Sequence, residues 1–171
     1  MREIIIVLHN IRSLHNVGSI FRTADAAGVS KIYLAGITPE PTDRLGRIRE
    51  PLRKVSLGAE KTVLWEHVPS TSTIFKKLKS QGYIVCALEQ SKKSIGYTTL
   101  PKRIRKIVLV VGNEVRGLPP SVLKKSDYIL EIPMRGAMVR QAHHPRRSQA
   151  GKESLNVSVA VGVALFELIR S

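Results

Sequence analysis

Five apolar residues, Ile107-Val108-Leu109-Val110-Val111, follow one another without polar alternation. Such a run is typical of a strand that is covered on both faces, as the central strands of parallel sheets are. Similar short apolar runs occur at residues 4–8, 31–35, 83–88 and 128–132. Helical patterns separate these runs, so the sequence predicts an α/β fold with a mostly parallel sheet flanked by helices.

Three helices are predicted between the strands. Asn16 can cap the first one, whose apolar stripe consists of Val17, Ile20, Phe21, Ala24 and Ala27. Residues 70–81 form the second helix, and Pro119-Pro120 suits the first turn of a short third one. Residues 36–56, which contain three prolines, are expected to form a long basic loop. Long loops of this kind are usually functional or disordered.

The C-terminal segment from Val159 to Ile169 carries a single charged residue, Glu167. A helix that is apolar nearly all round has no polar side that suits exposure to water. Its outer side is therefore expected to contact more protein, such as a second copy of the chain. Polar residues precede this segment, at Glu153-Ser154 and at Asn156 and Ser158. We expect the chemistry of the protein to lie near this polar start of the helix.

Length and charge restrict the class of protein. The chain has 171 residues, which is about the length of one domain. Its 28 Lys and Arg residues outnumber 13 Asp and Glu residues, which gives a net charge of +15. This surplus favours a polyanionic partner, of which nucleic acid is the leading candidate, over a merely soluble basic protein. The cations cluster in residues 44–54 and 92–106.

The cellular compartment is predicted from the short N-terminal apolar run and from the cysteine content. The single cysteine, Cys86, lies in an apolar run and is expected to pack as a small hydrophobic residue in a reducing compartment. The first apolar run, residues 4–8, is too short for a signal core or a membrane span. We therefore expect a soluble cytoplasmic protein.

Suggestive residues follow three predicted strands, at Leu88-Glu89-Gln90, Gly112-Asn113-Glu114 and Pro133-Met134-Arg135. In open parallel sheets, ligands bind outside the carboxyl ends of the strands. Gly112 either lets a ligand approach the backbone or is an ordinary turn glycine. The chain has neither a GxGxxG nor a GxxxxGK[ST] motif, so a nucleotide-like ligand would be held by backbone amides and apolar side chains.

Arg22 lies off the apolar stripe of the first helix and has two interpretations. It is either a functional cation or the partner of Asp25, a helical pair worth only about 0.2 to 0.5 kcal/mol. No metal site is predicted, because the histidines do not have a recognisable ligand spacing. Covalent catalysis is not indicated by Cys86 or by the histidines either.

Three segments together, residues 16–28 (NVGSIFRTADAAG), 112–117 (GNEVRG) and 154–158 (SLNVS), resemble the three motifs of the SpoU (TrmH-like) branch of SPOUT RNA methyltransferases. The resemblance implies an α/β fold with a C-terminal deep trefoil knot and an obligate homodimer. It also implies that S-adenosylmethionine donates a methyl group to a ribose 2′-hydroxyl in tRNA or rRNA, with S-adenosylhomocysteine as the product.

The same resemblance assigns roles to individual positions. The implied cofactor contacts are Leu88, Glu89, Gly112, Ile132, Met134 and Leu155. The implied catalytic positions are Arg22, Asn16, Glu114, Ser154 and Asn156. Arg22 is expected to hold the target phosphate and stabilise charge on the 2′-oxygen, because a guanidinium is a poor base. The basic residues expected to contact RNA are Arg12, Arg44, Arg47, Arg49, Arg53 and Arg116.

The chain departs from the family pattern at residues 137–151, a basic insertion with no periodicity. We expect a single SPOUT domain over residues 1–171, with no separate RNA-binding domain. The insertion is a tolerated excursion, an added RNA-contacting arm or a disruption of the site. In the last case the protein would be a non-catalytic RNA-binding knotted homodimer. A small-molecule enzyme on a nucleotide-binding fold is a further alternative, but it leaves the charge unexplained.

Overall fold

A computed structural model of the chain describes residues 2–134 and 154–170. Its strands are β1 (Glu3–His9), β2 (Lys31–Ala35), β3 (Trp65–Val68), β4 (Ile84–Leu88), β5 (Ile95–Gly96), β6 (Lys106–Val111) and β7 (Tyr128–Glu131). Its helices are α1 (Leu14–Ala26), α2 (Glu50–Ser56), α3 (Ala59–Thr62), α4 (Thr71–Ser80), α5 (Pro120–Leu123) and α6 (Val157–Arg170).

The strands form one sheet in the order β3-β2-β1-β6-β4-β7-β5, and every pairing is parallel. The run 107–111 is buried and belongs to β6, which lies between β1 and β4. The predicted α/β fold with a mostly parallel sheet is therefore confirmed. Because all strands run in the same direction, their carboxyl ends share one edge, where ligands are expected.

Two strands were not predicted. In β3, the edge strand, Glu66 and His67 are exposed, so the strand lacks an apolar run. At the other edge, β5 has only two residues. Edge strands are covered on fewer sides than central ones, so their sequences carry a weaker hydrophobic signal.

Helices cover both faces of the sheet. On one face α1 packs against α2, α3 and α6, and together they bury the cluster that contains Phe21, Leu52 and Leu165. On the other face α4 and α5 cover Val108 and Val110. The central strands are consequently apolar on both sides, as predicted.

Two predictions about local structure were wrong. Ser13, not Asn16, caps α1: the Ser13 hydroxyl accepts a hydrogen bond from the Asn16 backbone N–H at 3.2 Å. Asn16 lies inside the helix, with its side chain 6% exposed and free for other contacts. The predicted loop 36–56 also contains α2, in which Pro51 occupies the first turn, where its missing N–H costs nothing.

Cys86 packs as the sequence predicted. It lies in β4, fully buried, and burial raises the pKa of its thiol to about 12, so it stays un-ionised at neutral pH. No helix among the described residues is long and apolar enough to cross a membrane. The insertion 137–151 lies outside the described residues.

Candidate active site

The main cavity lies at the carboxyl ends of β6, β4 and β7 and has a volume of about 630 Å³. The structure places all six predicted cofactor positions in its lining: Leu88, Glu89, Gly112, Ile132, Met134 and Leu155. Three of the five predicted catalytic positions also line it: Glu114, Ser154 and Asn156. Segments far apart in the sequence thus meet at one strand-end cavity.

One wall of this cavity is a tight loop after β6. The Asn113 side-chain oxygen accepts hydrogen bonds from the backbone N–H groups of Val115 and Arg116, both at 3.0 Å. A Cβ atom at Gly112 would lie 2.5 Å from the carbonyl carbon of Gly117, too close for any side chain. The missing side chain at Gly112 therefore admits the chain's own backbone, and Gly112 also lines the cavity, where the sequence left open what approaches it.

Glu89 fixes the same loop from the end of β4. One carboxylate oxygen accepts a hydrogen bond from the Leu118 backbone N–H at 2.8 Å, and the other accepts one from the Gln90 N–H at 3.0 Å. Gly117 has φ +63° and lies against this carboxylate, where a Cβ atom would collide with it. Glu89 thus positions the cavity wall through both of its oxygens.

Glu114 holds the segment that precedes α1. Its two carboxylate oxygens accept hydrogen bonds from the backbone N–H groups of Arg12 and Ser13, each at 3.0 Å. The Asn16 amide donates a third at 3.0 Å. Burial opposes the charge on Glu114, but these donors outweigh it and lower its pKa. An ionised carboxylate with this many donors is a poor proton acceptor at neutral pH.

Asn16 joins the three sequence motifs. Its amide nitrogen donates to Glu114, and its side-chain oxygen accepts a hydrogen bond from the Asn156 amide at 3.2 Å. The Asn156 oxygen in turn accepts from the backbone N–H and hydroxyl of Ser158, at 2.9 and 2.7 Å, at the start of α6. We call Asn16, Glu114 and Asn156 the motif junction. Each of these side chains has hydrogen-bond partners within the chain.

The described residues of the main cavity carry a net charge opposite in sign to that of the protein. Among them, Glu89, Glu114 and Glu131 line the cavity, against one cation, Arg116. In a chain of net charge +15, this clustering of carboxylates creates a local site that favours a cationic group. Apolar walls at Leu88 and Leu155 complete a cavity suited to a ligand with both apolar and cationic parts.

Arg22 does not line the main cavity. It is exposed on α1, six residues after Asn16 and so about 9 Å further along the helix axis. The suggested pairing with Asp25 is not formed: the Asp25 carboxylate accepts a hydrogen bond from the Thr62 hydroxyl at 2.7 Å instead. Within the described part of the chain, Arg22 has no ion pair.

The other predicted RNA contacts have different environments. Residues 37–49, which we call the arginine loop, surround a second cavity of about 280 Å³ at the ends of β2 and β3, and Arg44 and Arg49 line it. Arg47 forms an ion pair with Asp43 at 3.0 Å. The other three predicted contacts lie outside this loop. Arg53 pairs with Glu50, Arg12 is exposed before α1, and Arg116 lines the main cavity.

Asn10 links the edges of the two cavities and was not singled out from the sequence. It has φ 55°, a left-handed conformation that asparagine tolerates better than most residues. Its backbone carbonyl accepts a hydrogen bond from the Asn113 amide at 2.9 Å, and its side-chain oxygen accepts one from the Ile37 N–H at 3.0 Å. An asparagine directly after a predicted strand was the available signal.

The outer face of α6 carries three exposed apolar side chains, Val159, Val163 and Phe166, which are 51%, 38% and 49% exposed. Their spacing places them on one side of the helix. Val161, Ala164, Leu165 and Leu168 are buried on the other side. The helix is therefore apolar on both sides, as the sequence predicted, and one side faces solvent in the single chain.

Comparison with known proteins identifies the same family that the three motifs resemble. Residues 3–140 match the sequence model of the SpoU rRNA Methylase family. The chain is 30% identical to a tRNA (guanosine(18)-2′-O)-methyltransferase of Aquifex aeolicus over 99% of its own length and 70% of the relative's. It is 29% identical to the 23S rRNA (guanosine-2′-O-)-methyltransferase RlmB of Pseudomonas putida over 98% of its length and 58% of that protein.

Among solved structures, the fold is similar to an AdoMet-bound rRNA methyltransferase from Sinorhizobium meliloti. The TM-score is 0.81 at 28% sequence identity, over 98% of this chain and 56% of that one. The chain thus spans less than two thirds of the length of these two rRNA-modifying proteins.

Proposed function

Because this chain belongs to the SpoU rRNA methylase family, we propose that it is an RNA ribose 2′-O-methyltransferase that uses S-adenosylmethionine and acts on tRNA or rRNA. One observation carries the proposal: the hydrogen bonds of the motif junction join all three family motifs at the mouth of a strand-end cavity. RNA is favoured over DNA as the substrate because only RNA has a 2′-hydroxyl.

The main cavity fits S-adenosylmethionine. Its volume lies within the range of about 300 to 1,000 Å³ that is usual for small-molecule sites. Leu88, Ile132 and Leu155 would pack against the adenine, and the surrounding carboxylates would favour the cationic sulfonium. When bound, S-adenosylmethionine supplies a methyl group that the ribose 2′-oxygen can attack in line.

The residues of the chain would contribute mainly positioning, which can supply a large part of the rate of such a displacement. Glu114 fixes the segment before α1, and Asn16 and Asn156 hold that segment against the start of α6. Ser154 and Asn156, on the cavity wall, would orient the ribose. The proton of the 2′-hydroxyl would pass to a phosphate oxygen of the substrate or to water.

Arg22 would hold the target phosphate and stabilise negative charge on the 2′-oxygen. Since Arg22 lies outside the main cavity of its own chain, we propose that it acts in a homodimer. A second copy would pack on the exposed stripe of Val159, Val163 and Phe166. This packing would cover apolar surface that a single chain leaves in water. Arg22 is the neighbour of Thr23, and Thr23 faces Gly162 on α6, so Arg22 lies next to the contact between α1 and α6.

The remaining features of the proposal follow from family membership. Residues 1–171 would form one SPOUT domain in the cytoplasm, with a C-terminal trefoil knot. The exposed arginines of the arginine loop, with Arg12 and Arg116, would contact the RNA backbone. The insertion 137–151 would be an excursion that leaves the cavity in use.

The proposal is tested by incubating the protein with S-adenosylmethionine labelled in the methyl group and with total RNA, followed by nuclease digestion. A labelled 2′-O-methylnucleotide is the expected product, and its position identifies the substrate. Calorimetry with S-adenosylmethionine is run in parallel. A protein that binds RNA but neither binds the cofactor nor labels RNA would be a non-catalytic binder, and the proposal would fail.

A further inference from the structure

The second cavity, at the carboxyl ends of β2 and β3, is not required for methyl transfer as proposed above. Its volume of about 280 Å³ is small, just below the usual range for small-molecule sites. Its lining combines two arginines with Glu40, His67 and Ile37. A cavity of this size, lined by cations and by other hydrogen-bonding groups, matches a single nucleotide better than a longer stretch of RNA.

Two acceptors remain available in this cavity. The Glu40 carboxylate forms no hydrogen bond or ion pair with the described residues, in contrast to Asp43, whose carboxylate binds Arg47. His67 donates from Nε2 to the Gly36 carbonyl at 2.9 Å, so in the neutral ring Nδ1 is an acceptor. A ligand that pairs with these groups must present hydrogen-bond donors, such as the N–H groups of a base.

The cations of the cavity can neutralise a phosphate. Arg49 uses Nε to donate to the Thr42 carbonyl at 3.1 Å, which orients its guanidinium and leaves its two amino groups available. The Arg44 side chain forms no hydrogen bond or ion pair within the described chain. Ile37, which is 68% exposed, offers an apolar surface beside them for a base to lie against.

We propose that this cavity binds the base of a single-stranded nucleotide that lies a few positions from the methylated one in the RNA, with a preference for guanine. Glu40 accepts from the adjacent N1–H and N2–H groups of guanine, and Arg44 and Arg49 contact the neighbouring phosphates. The inference rests on the proposed function, because it takes the main cavity as the site of the target ribose.

The distance between the two cavities suits this arrangement. Both open at the same edge of the sheet, and about three and a half strand spacings separate the β2–β3 cavity from β4. At the usual spacing of neighbouring strands this is about 17 Å, which a few unstacked nucleotides span. Arg12 is exposed before α1, between the two cavities, where the connecting phosphates would pass.

The test measures base preference separately from catalysis. The full-length protein is mixed with a pool of single-stranded RNA ten-mers of random sequence, and the bound fraction is sequenced. We expect guanine to be enriched over adenine at one position, by about tenfold. Glu40→Gln should abolish this enrichment without weakening total RNA binding, because the substitution removes a negative charge.

Glu66→Gln is the matched control. Glu66 lies on β3 and pairs with Lys31 at 2.6 Å, so this variant makes the same change of charge outside the cavity and should keep the guanine preference. Enrichment at no position, or enrichment that survives Glu40→Gln, would overturn the inference. Guanosine monophosphate that binds as tightly as the ten-mers would also overturn it, because the cavity would then be a site for free nucleotides.

Failure of the inference is distinguishable from failure of the proposed function. Methyl transfer to RNA and calorimetric binding of S-adenosylmethionine are measured on the same wild-type sample. A protein that methylates RNA without base preference in the pool contradicts the inference alone. A protein that neither binds the cofactor nor methylates RNA contradicts the proposed function, whatever the pool shows.

Discussion

The motif junction and the arginine loop lie at the same edge of the sheet but use their polar side chains in opposite ways. At the junction, the side chains of Asn16, Glu114 and Asn156 bind one another or nearby backbone groups. In the arginine loop, only part of the charge is paired internally: Arg47 binds Asp43, and Arg44 stays exposed.

The difference indicates a division of labour. Groups that are satisfied within the chain fix geometry, and their removal leaves partners without a hydrogen bond, which costs stability. Exposed cations contribute little to folding, and their effect appears in association with a polyanion, where it depends on salt. We therefore expect substitutions at the junction to change stability and activity together, and substitutions in the arginine loop to change RNA binding alone.

The largest effect is expected for Glu114→Ala. The variant removes the acceptor for three donors that hold the segment before α1, so the free energy of unfolding should fall by about 2 kcal/mol. Methyl transfer should fall by at least about a hundredfold because the junction loses its geometry. Chemical denaturation and methyl-transfer assays measure the two effects. Wild-type values for both would show that the junction does not position the site.

Arg22→Ala should lower methyl transfer by about a hundredfold or more, while stability and cofactor binding stay near the wild-type values. Arg22 is exposed and outside the main cavity, and its removal breaks no ion pair among the described residues. Calorimetry with S-adenosylmethionine provides the second readout. Equal loss of cofactor binding and activity would contradict the assignment of Arg22 to the substrate.

Mixed dimers test whether Arg22 acts across the interface. We would combine Arg22→Ala chains with Leu155→Arg chains, in which a large cation blocks the main cavity. If each site uses the cavity of one chain and Arg22 of the other, the mixture should regain a fraction of the activity that neither variant has alone. Absence of any recovery in verified mixed dimers would place both residues of one site in the same chain.

The Arg44→Gln and Arg49→Gln double variant should bind RNA more weakly and reduce the slope of log affinity against log salt by about two. Its stability should change by less than about 0.5 kcal/mol, since neither side chain forms an ion pair in the described chain. Arg170→Gln, at the end of α6, is a control for net charge and should have a smaller effect. An unchanged salt dependence in the double variant would remove the arginine loop from the RNA interface.

The smallest expected effect is a loss in the free energy of unfolding at acid pH. The pKa of Glu114 is lowered in the folded chain, so the unfolded chain binds the proton more tightly. The stabilisation from Glu114 is then complete above its ordinary pKa of 4.5 and is lost as pH falls through the lowered value. Urea unfolding at neutral and acid pH should show a larger acid loss for wild type than for Glu114→Gln. Equal losses would mean that Glu114 does not contribute this pH dependence.

The sequence predicted the central strands and the cavity lining well, and it failed where a side chain depends on distant partners. The apolar run 107–111 could be assigned without tertiary information, because five consecutive, mostly β-branched apolar residues are typical of a strand covered on both faces. Asn16, in contrast, was taken for a helix cap because its type suits that position. The structure uses Ser13 as the cap and directs Asn16 to Glu114, which is 98 residues away.

Gly112 is a second residue whose role depends on distant partners and could not be decided from the sequence. A glycine after a buried strand indicates a close approach, and the sequence left open what approaches. In the structure it is the backbone of Gly117 and Leu118, held in place by Glu89 from the neighbouring strand. The same local pattern would have suited a bound ligand, so only the folded chain distinguishes the two.

The sequence by itself determined the class of fold, the strands that form its centre, the charge that favours RNA and the three motifs that place the chain in its family. These features depend on residue type and on spacing along the chain. The tertiary structure alone decided which polar groups are satisfied internally and which face solvent: the carboxylates of Glu89 and Glu114 are committed to backbone donors, whereas Arg22 and Arg44 stay exposed. Hydrogen bonds between segments about a hundred residues apart leave no local pattern, because their partners become neighbours only when the sheet aligns its strand ends.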